Sequence, residues 1–447
     1  MKQKIISLFQ DILSQKNTLG VDHLFLSALV RQKRGVNIFK AEVDSVEIAD
    51  EIKIGVWAGF QNRWGTSVLE SLNPDALKKA VLQAKLASTY NDADPDYSLA
   101  EPTQTQSTHT ADPEISKISM GELEQASRDM ESKAQKFSPL IKNIPDVGAG
   151  YDVFLRVIAN SNGLCVSEEA SMLKAGISVM AQGSDGRMVN VHEMDCWTRR
   201  GDFNVQHLVD EVLQEVTSRI NPHPVATGSW PVIFDPRSAV HLLGTFTSIF
   251  SGDALYRHLT RLEGKLGEAI ASSIISLSDS ASNGLIPHTF DAEGSLAVSK
   301  KIIDNGIFKT FLHNRYTSKK VGTTTTGNAG GGLEDPPSIS TMNLSWESSQ
   351  LTPQIQKLPK QAILIREMAG ASASAISGDF SYGALGYWVE DGVIQYPIAD
   401  FTIAGNFFEL LKKIQAVGDD LRWFSPHLLG SMGGRSLLID NLSVSGK

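Results

Sequence analysis

The chain has 447 residues, of which 41% are hydrophobic and 20% charged, and it carries a formal net charge of −9. That is the composition of an ordinary globular protein, long enough for two or three domains and a sizeable core, and it excludes a chain that is disordered overall. Acidic and basic residues are interspersed, which argues against a general binder of nucleic acid or of acidic membrane surfaces.

The chain opens with apolar residues Ile5, Ile6, Leu8, Phe9, Ile12 and Leu13 at helical spacing. That pattern predicts an amphipathic helix rather than the continuous apolar core of a leader peptide. No stretch approaches the roughly 18 apolar residues of a membrane span, and the expected location is cytoplasmic. From His23 to Val68 the period is two, which predicts a meander of three or four strands. Asn73 and Asp75 precede an apolar-periodic run over 76–87 that reads as a capped helix. Residues 91–114 are rich in Asp, Pro, Ser and Thr and read as an exposed, mobile loop. A helix follows over 119–137.

Alternation returns over 147–199, with hairpin turns expected at Asn162-Gly163 and Ser184-Asp185-Gly186. Cys165 and Cys196 fall in these strands; two cysteines cannot build a disulfide framework, and both read as buried or half-buried reduced thiols. A helix over 205–220 ends at Asn221-Pro222-His223-Pro224, where two prolines stop it. The main domain boundary is placed there, giving domains at 1–224 and 225–447. The second half reads as a strand at WPVIFDP, then a single buried helix over 238–255. Strand pairs turning at Asp304-Asn305-Gly306 and Glu390-Asp391-Gly392 come next, with a glycine-rich loop at TTTTGNAGGGLEDPPS. Helices and strands mix without regular βαβ alternation, so the expected class is α+β: two domains with strand-rich mixed sheets and flanking helices.

Four constellations invite chemistry. His192-Glu193 has no second histidine one helical turn on, and with Asp195 and Cys196 it reads as ordinary strand and turn. His241 lies alone on the apolar helix and reads as a hydrogen-bonded core or interface residue. GSMGG around Ser431 places the serine one position too early for a nucleophile elbow. The glycine-rich loop lacks the lysine of a phosphate loop and runs into Pro336 and Pro337. Its composition suits close approach to an extended peptide backbone, with Thr325, Thr326, Gly327, Asn328 and Gly330 as candidate peptide-binding residues.

The ordered series WPVIFDPRSAVHLL, SGDAL, GKLGE, FDAEG, IIDNGIFKTFLHNRYTSKKVG, TTTTGNAGG, SGDFSYGALGYWVEDG and IAGNFFELLKKIQAVGDD resembles the TldD/PmbA family, once described as gyrase modulators and regarded as peptidases. The TldD branch of that family carries His-Glu-x-x-x-His on the helix after the first strand of its C-terminal half, ahead of a Gly-Asp pair, and a cysteine near the C-terminus completes its metal site. Anchored on Gly252-Asp253, the six places fall at Leu243, Gly244, Thr245, Phe246, Thr247 and Ser248, and HLLGSMGGRSLLID holds no cysteine.

The departure is similar to the PmbA (TldE) branch. The resemblance implies no catalytic residue and no metal in this chain, with zinc or another divalent metal held by a TldD-like partner subunit that cleaves extended or unfolded peptides. A homodimer is possible for the chain in isolation, and neither nucleic acid nor membrane is an expected partner. Two other readings stay open: a self-sufficient metal-dependent peptidase acting as a homodimer, and a non-enzymatic modulator of DNA gyrase.

Overall fold

The computed structural model describes residues 1–102, 108–427 and 430–446. In the first half, α1 (Lys2–Ser14) buries Ile5, Leu8, Phe9 and Ile12, the face its spacing predicts. After the short α2 (Lys16–Leu19) the meander consists of three strands, β1 (His23–Phe39), β2 (Glu42–Phe60) and β3 (Arg63–Leu69). α3 (Pro74–Ser88) is capped by Asn73, whose side chain accepts from the amides of Asp75 and Ala76. β4 (Thr108–His109) follows, and α4 (Met120–Phe137) opens on a reciprocal Ser119–Glu122 capping box.

The long strands β5 (Ile141–Asn160) and β6 (Cys165–Gln182) and the shorter β7 (Met188–Trp197) complete one sheet ordered β3-β2-β1-β5-β6-β4, with β7 on β6. α5 (Val205–Ser218) closes this half, burying Leu208, Val209, Val212, Leu213 and Val216. Cys165 is exposed, unlike the expectation, because its β6 position faces outward. Cys196 is half-buried, and burial, then the charge of Asp195, pushes its thiol up to about 11.

The second half starts with β8 (Gly228–Phe234) and α6 (Pro236–Phe246), the helix being capped by Asp235. Here the single helix expected over 238–255 is broken. A 3₁₀ turn spans Thr247–Phe250, and extended Ser251 then caps α7 (Gly252–Tyr256), while the Gly252 amide leaves the helical ladder for the Leu312 carbonyl. Nor is the helix buried all round, since His241, Gly244 and Ser248 lie on an exposed side.

One six-stranded sheet joins β9 (Ser276–Ser280), β10 (Lys300–Asp304), β11 (Ile307–Phe308), β14 (Asn343–Glu347), β20 (Arg422–His427) and β21 (Gly430–Gly434). A two-residue ladder joins β12 (Ala329–Gly330) to β13 (Ser338–Ile339). A seven-stranded sheet takes in β8, β15 (Leu351–Thr352), β16 (Gln361–Ala373), β17 (Asp379–Glu390), β18 (Val393–Asn406), β19 (Ile414–Gly418) and β22 (Leu437–Ser445). α8 (Arg315–Lys320) and the short α9 (Phe407–Lys412) complete the elements. The large core of this half packs Phe234, Phe246, Phe250, Phe308, Tyr382 and Phe407 between α6 and the two sheets. The fold is mixed α+β, with helices flanking several sheets.

Residues 94–100 correct the expectation of an exposed loop over 91–114, of which 103–107 lie outside the described residues. Tyr97 stacks on Tyr316 with ring centroids 4.3 Å apart, Asp94 accepts from the Tyr316 hydroxyl at 2.9 Å, and Lys320 pairs with Asp94 and Asp96 at 3.1 and 2.7 Å. Leu99 and Ala100 are buried beside Phe25 and Trp57. The polar composition that signals a loop here serves contacts with α8 instead.

Candidate functional site

The glycine-rich loop is held from below by two buried acid clusters. In the turn FDAEG, Asp291 accepts the amides of Glu293 and Ser295 at 2.9 Å with one oxygen, and the amide of Ala329 at 3.0 Å with the other. This one carboxylate thus ties the acidic turn to β12. Asn328, 1% exposed, donates to Asp279 and to the Ser340 carbonyl and accepts from Lys300 at 2.6 Å. Burial raises the pKa of Asp291, and burial together with the charge of Asp291 raises that of Glu293.

The five candidate peptide-binding residues separate in this setting. Thr325 donates to the His313 carbonyl at 3.1 Å, and the Thr326 hydroxyl accepts the His313 amide at 2.6 Å, so both brace the loop's base and neither lines the cavity beside the loop. Gly327, Asn328 and Gly330 do line it. Their glycines are there for packing: a side chain at Gly327, where φ is +69°, would strike the Leu296 carbonyl, and one at Gly330 would strike Ser340. Gly331 and Gly332 are different, because they adopt φ of +77° and +86° with open space or ordinary contact around them.

The cavity has a volume of about 630 Å³ and lies between the glycine loop and the sheet of the first half. The loop reaches that sheet at Gly55, where any side chain would collide with the Leu333 backbone, and at Lys53, which pairs with Glu334. On the cavity wall, Arg156 of β5 and His288 meet the buried carboxylate of Glu168: Arg156 Nη2 lies 2.7 Å from one oxygen, and His288 Nδ1 lies 3.5 Å from the other. Burial alone would raise the pKa of Glu168, but the Arg156 charge and the His288 contact outweigh it and hold the carboxyl below its ordinary value. His288 Nε2 and Arg156 Nε are buried with no hydrogen-bond partner among the described residues. A cavity roofed by a glycine loop with open backbone can receive the carbonyls and amides of an extended chain. Sequence reasoning missed Arg156 and His288, which lie far apart in the chain and in different halves.

The six places of the motif lie on α6 and the turn after it. Leu243 is fully buried in the core, Gly244 and Ser248 face outward, and Phe246 stacks on Phe407. Thr245 meets the Tyr382 hydroxyl at 2.7 Å, and the nearest atom to a side chain built at Gly244 would be the Met432 sulfur, at 3.8 Å. Leu428 and Leu429, in the segment inspected for a cysteine, lie outside the described residues. His241 is exposed, its ring edge-on to Tyr382 at 5.5 Å, so of the two places expected for it the core is excluded. His192 shares a hydrogen bond of 2.9 Å with Ser178 on the neighbouring strand, and Asp195 accepts the Cys196 amide.

A second cleft, of about 900 Å³, separates β7 and α5 from α6 and β20. Its arginines are answered by carboxylates. Arg366 bridges Asp235 and Glu215 at 2.9 Å each, Arg237 pairs with Glu193, and Arg422 pairs with Glu211 at 3.1 Å. Among the described residues, no three His, Cys, Asp or Glu side chains are grouped as a metal ion would need.

Residues 113–220 match the domain described as the PmbA/TldA metallopeptidase central domain, and residues 227–446 match the corresponding C-terminal domain. The chain is 28% identical over 421 residues to a metalloprotease PmbA homolog of Haemophilus influenzae, covering 91% of this chain and 88% of that protein. It is 27% identical over 412 residues to metalloprotease PmbA of Escherichia coli O157:H7, with the same coverage. Among solved structures, TldE of Thermococcus kodakarensis superposes with a TM-score of 0.91 at 22% identity, over 98% of this chain and all of that one. A Thermotoga maritima protein described as a candidate modulator of a DNA gyrase superposes at 0.87 with 25% identity, over 98% and 99%. With two of the family's domains matched in sequence along most of the chain, and the whole fold matched in space, the protein belongs to the PmbA/TldD family.

Proposed function

We propose that this chain is the PmbA/TldE-type subunit of a heteromeric metallopeptidase acting on extended or unfolded peptides, and that the metal is held by a TldD-like partner. The observation that carries the reading is the chemistry of α6. Where the related catalytic helix offers two imidazoles and a carboxylate, this one offers a core leucine, a glycine and a serine. The family descriptions imply a divalent metal, and these residues do not fit one: a leucine has no lone pair to donate, and a single serine hydroxyl is a poor zinc ligand. No hydrolytic step is therefore routed through this chain. What the chain contributes in this reading is a wall of the peptide chamber: the glycine loop and the cavity beneath it, which engage the main chain of the substrate.

The test is reconstitution. Alone, the protein should release no fragments from an unstructured peptide above background and should hold less than one zinc per chain by elemental analysis. With a cognate TldD-like subunit it should form a stable complex in which cleavage is lost on chelation. Chelator-sensitive cleavage by the isolated chain would instead establish the self-sufficient homodimer.

A further inference from the structure

β1 and β2 form a hairpin much longer than the sheet around it. β2 pairs with β1 from His23↔Gly59 to Phe39↔Glu42, but β3 covers its other edge only from Ile54 to Phe60. Among the described residues, the outer edge over 42–53 has no partner strand. One bulge sits near the tip, where the register shifts between Asn37 and Ile38, and from Ser45 to Lys53 the edge is regular. At about 3.3 Å per residue this stretch is about 30 Å of open backbone donors and acceptors. Such an edge is usually shortened, bent, charged or interrupted by proline, because it templates the addition of another strand, and charge guards it only against strands of like sign. This one contains no proline, and it exposes Val46 and Ile48 at 53% and 62%.

The edge is also held rigid. The tip turns through Lys40 and Ala41, both at positive φ, which for residues with side chains costs on the order of 1 kcal/mol each. α4 holds the strained turn: buried Glu131 accepts the Ala41 amide at 2.8 Å, and Arg128 donates to the Ala41 carbonyl. Across the hairpin, Lys33 pairs with Glu47, and Arg34 with Asp50 at 2.9 Å. A strand held this way has little conformational entropy left to lose on pairing.

Charge decides the occupant. Residues 42–53 carry five carboxylates, Glu42, Asp44, Glu47, Asp50 and Glu51, against one ammonium, Lys53, which is engaged by Glu334. Glu42, Asp44 and Glu51 take part in no ion pair among the described residues. A second copy would add the same acids to this edge, whereas lysines or arginines on an incoming strand would answer them across the pair. We infer that the open edge of β2 is a docking site for an extended strand bearing lysine or arginine from a polypeptide other than this chain. This inference stands apart from the function proposed above.

The experiment is hydrogen–deuterium exchange on the full-length protein with two probes, a peptide alternating lysine with valine and its glutamate–valine counterpart. The lysine probe should slow exchange of the amides over 45–53 by about tenfold or more, and the glutamate probe should leave them unchanged. The variant carrying Glu42→Lys, Asp44→Lys and Glu51→Lys should reverse that preference, and Glu51→Lys alone should reduce the lysine-probe effect while melting like the parent. Equal slowing by both probes, slowing confined to other residues, or protection of 45–53 that rises with protein concentration alone would overturn the inference, the last by making a second copy the occupant.

Discussion

The two clefts differ in how their polar groups are answered. In the cleft between β7, α5 and α6, Arg366, Arg237 and Arg422 each meet carboxylates, and burial of Glu215 is outweighed by Arg366 so that its carboxyl stays below its ordinary value. In the cavity under the glycine loop, Arg156 and His288 share a single carboxylate, and among the described residues each keeps a nitrogen without a partner. The comparison separates two uses of buried polarity. Charges closed into pairs fix how two surfaces meet, while buried nitrogens left unpaired lower the stability of the site that holds them.

The largest effect is expected in the closed network. Arg366→Ala leaves Asp235 buried without its cation, and should cost about 3 kcal/mol in denaturant-induced unfolding. Peptide turnover by a reconstituted complex should fall only as far as folded protein is lost. Next come the loop glycines. Gly327→Val forces a side chain into the Leu296 carbonyl and should destabilise by about 2 kcal/mol or more. Gly331→Ala meets only the strain of its left-handed backbone, about 1 kcal/mol, and should reduce turnover more than stability. If the two glycine variants behave alike in both measurements, the distinction between packing and open positions fails.

The acids under the loop give a smaller effect with a defined sign. Asp291 and Glu293 have raised pKa values in the fold, so the folded state holds these protons more tightly than the unfolded chain. Their contribution to stability should therefore be greatest at low pH, and should fall as pH rises above the ordinary carboxylate range toward the raised values. Glu293→Gln can still accept the Arg315 amide, so it should flatten that dependence and raise stability at neutral pH by about 1 kcal/mol, read from melting curves at several pH values. Smallest of all, His288→Gln removes a ring whose Nε2 is already unanswered, and should cost about 1 kcal/mol or less.

What was legible in the sequence is what local chemistry decides. Asn305-Gly306 and Asp391-Gly392 are hairpin turns because both residues of each pair must adopt positive φ, and they do. The cap at Asn73 is legible because its side-chain oxygen accepts the first free amides of the helix that follows. Lys40-Ala41 carries no such signal, since the tertiary contact with α4 imposes its conformation. The break after Phe246 was hidden because apolar residues keep recurring at helical spacing through Ile249 and Phe250; it depends on the Leu312 carbonyl, remote in sequence. At the site, the glycine loop announced itself by composition, but Thr325 and Thr326 looked like ligand-facing hydroxyls and instead brace His313. Arg156, Glu168 and His288 are ordinary residues until two halves of the chain bring them together.

The contacts between residues 94–98 and α8 have a consequence for how the protein is made. Tyr316 follows its partner Asp94 by 222 positions, so at ordinary elongation rates the ribosome delivers it on the order of ten to forty seconds later. Through that interval Tyr97 and the carboxylates of Asp94 and Asp96 have no α8 to meet, and this segment can settle only as one of the last acts of folding. A nascent chain stalled before Arg315 should leave the segment open to protease, and release of the full chain should close it.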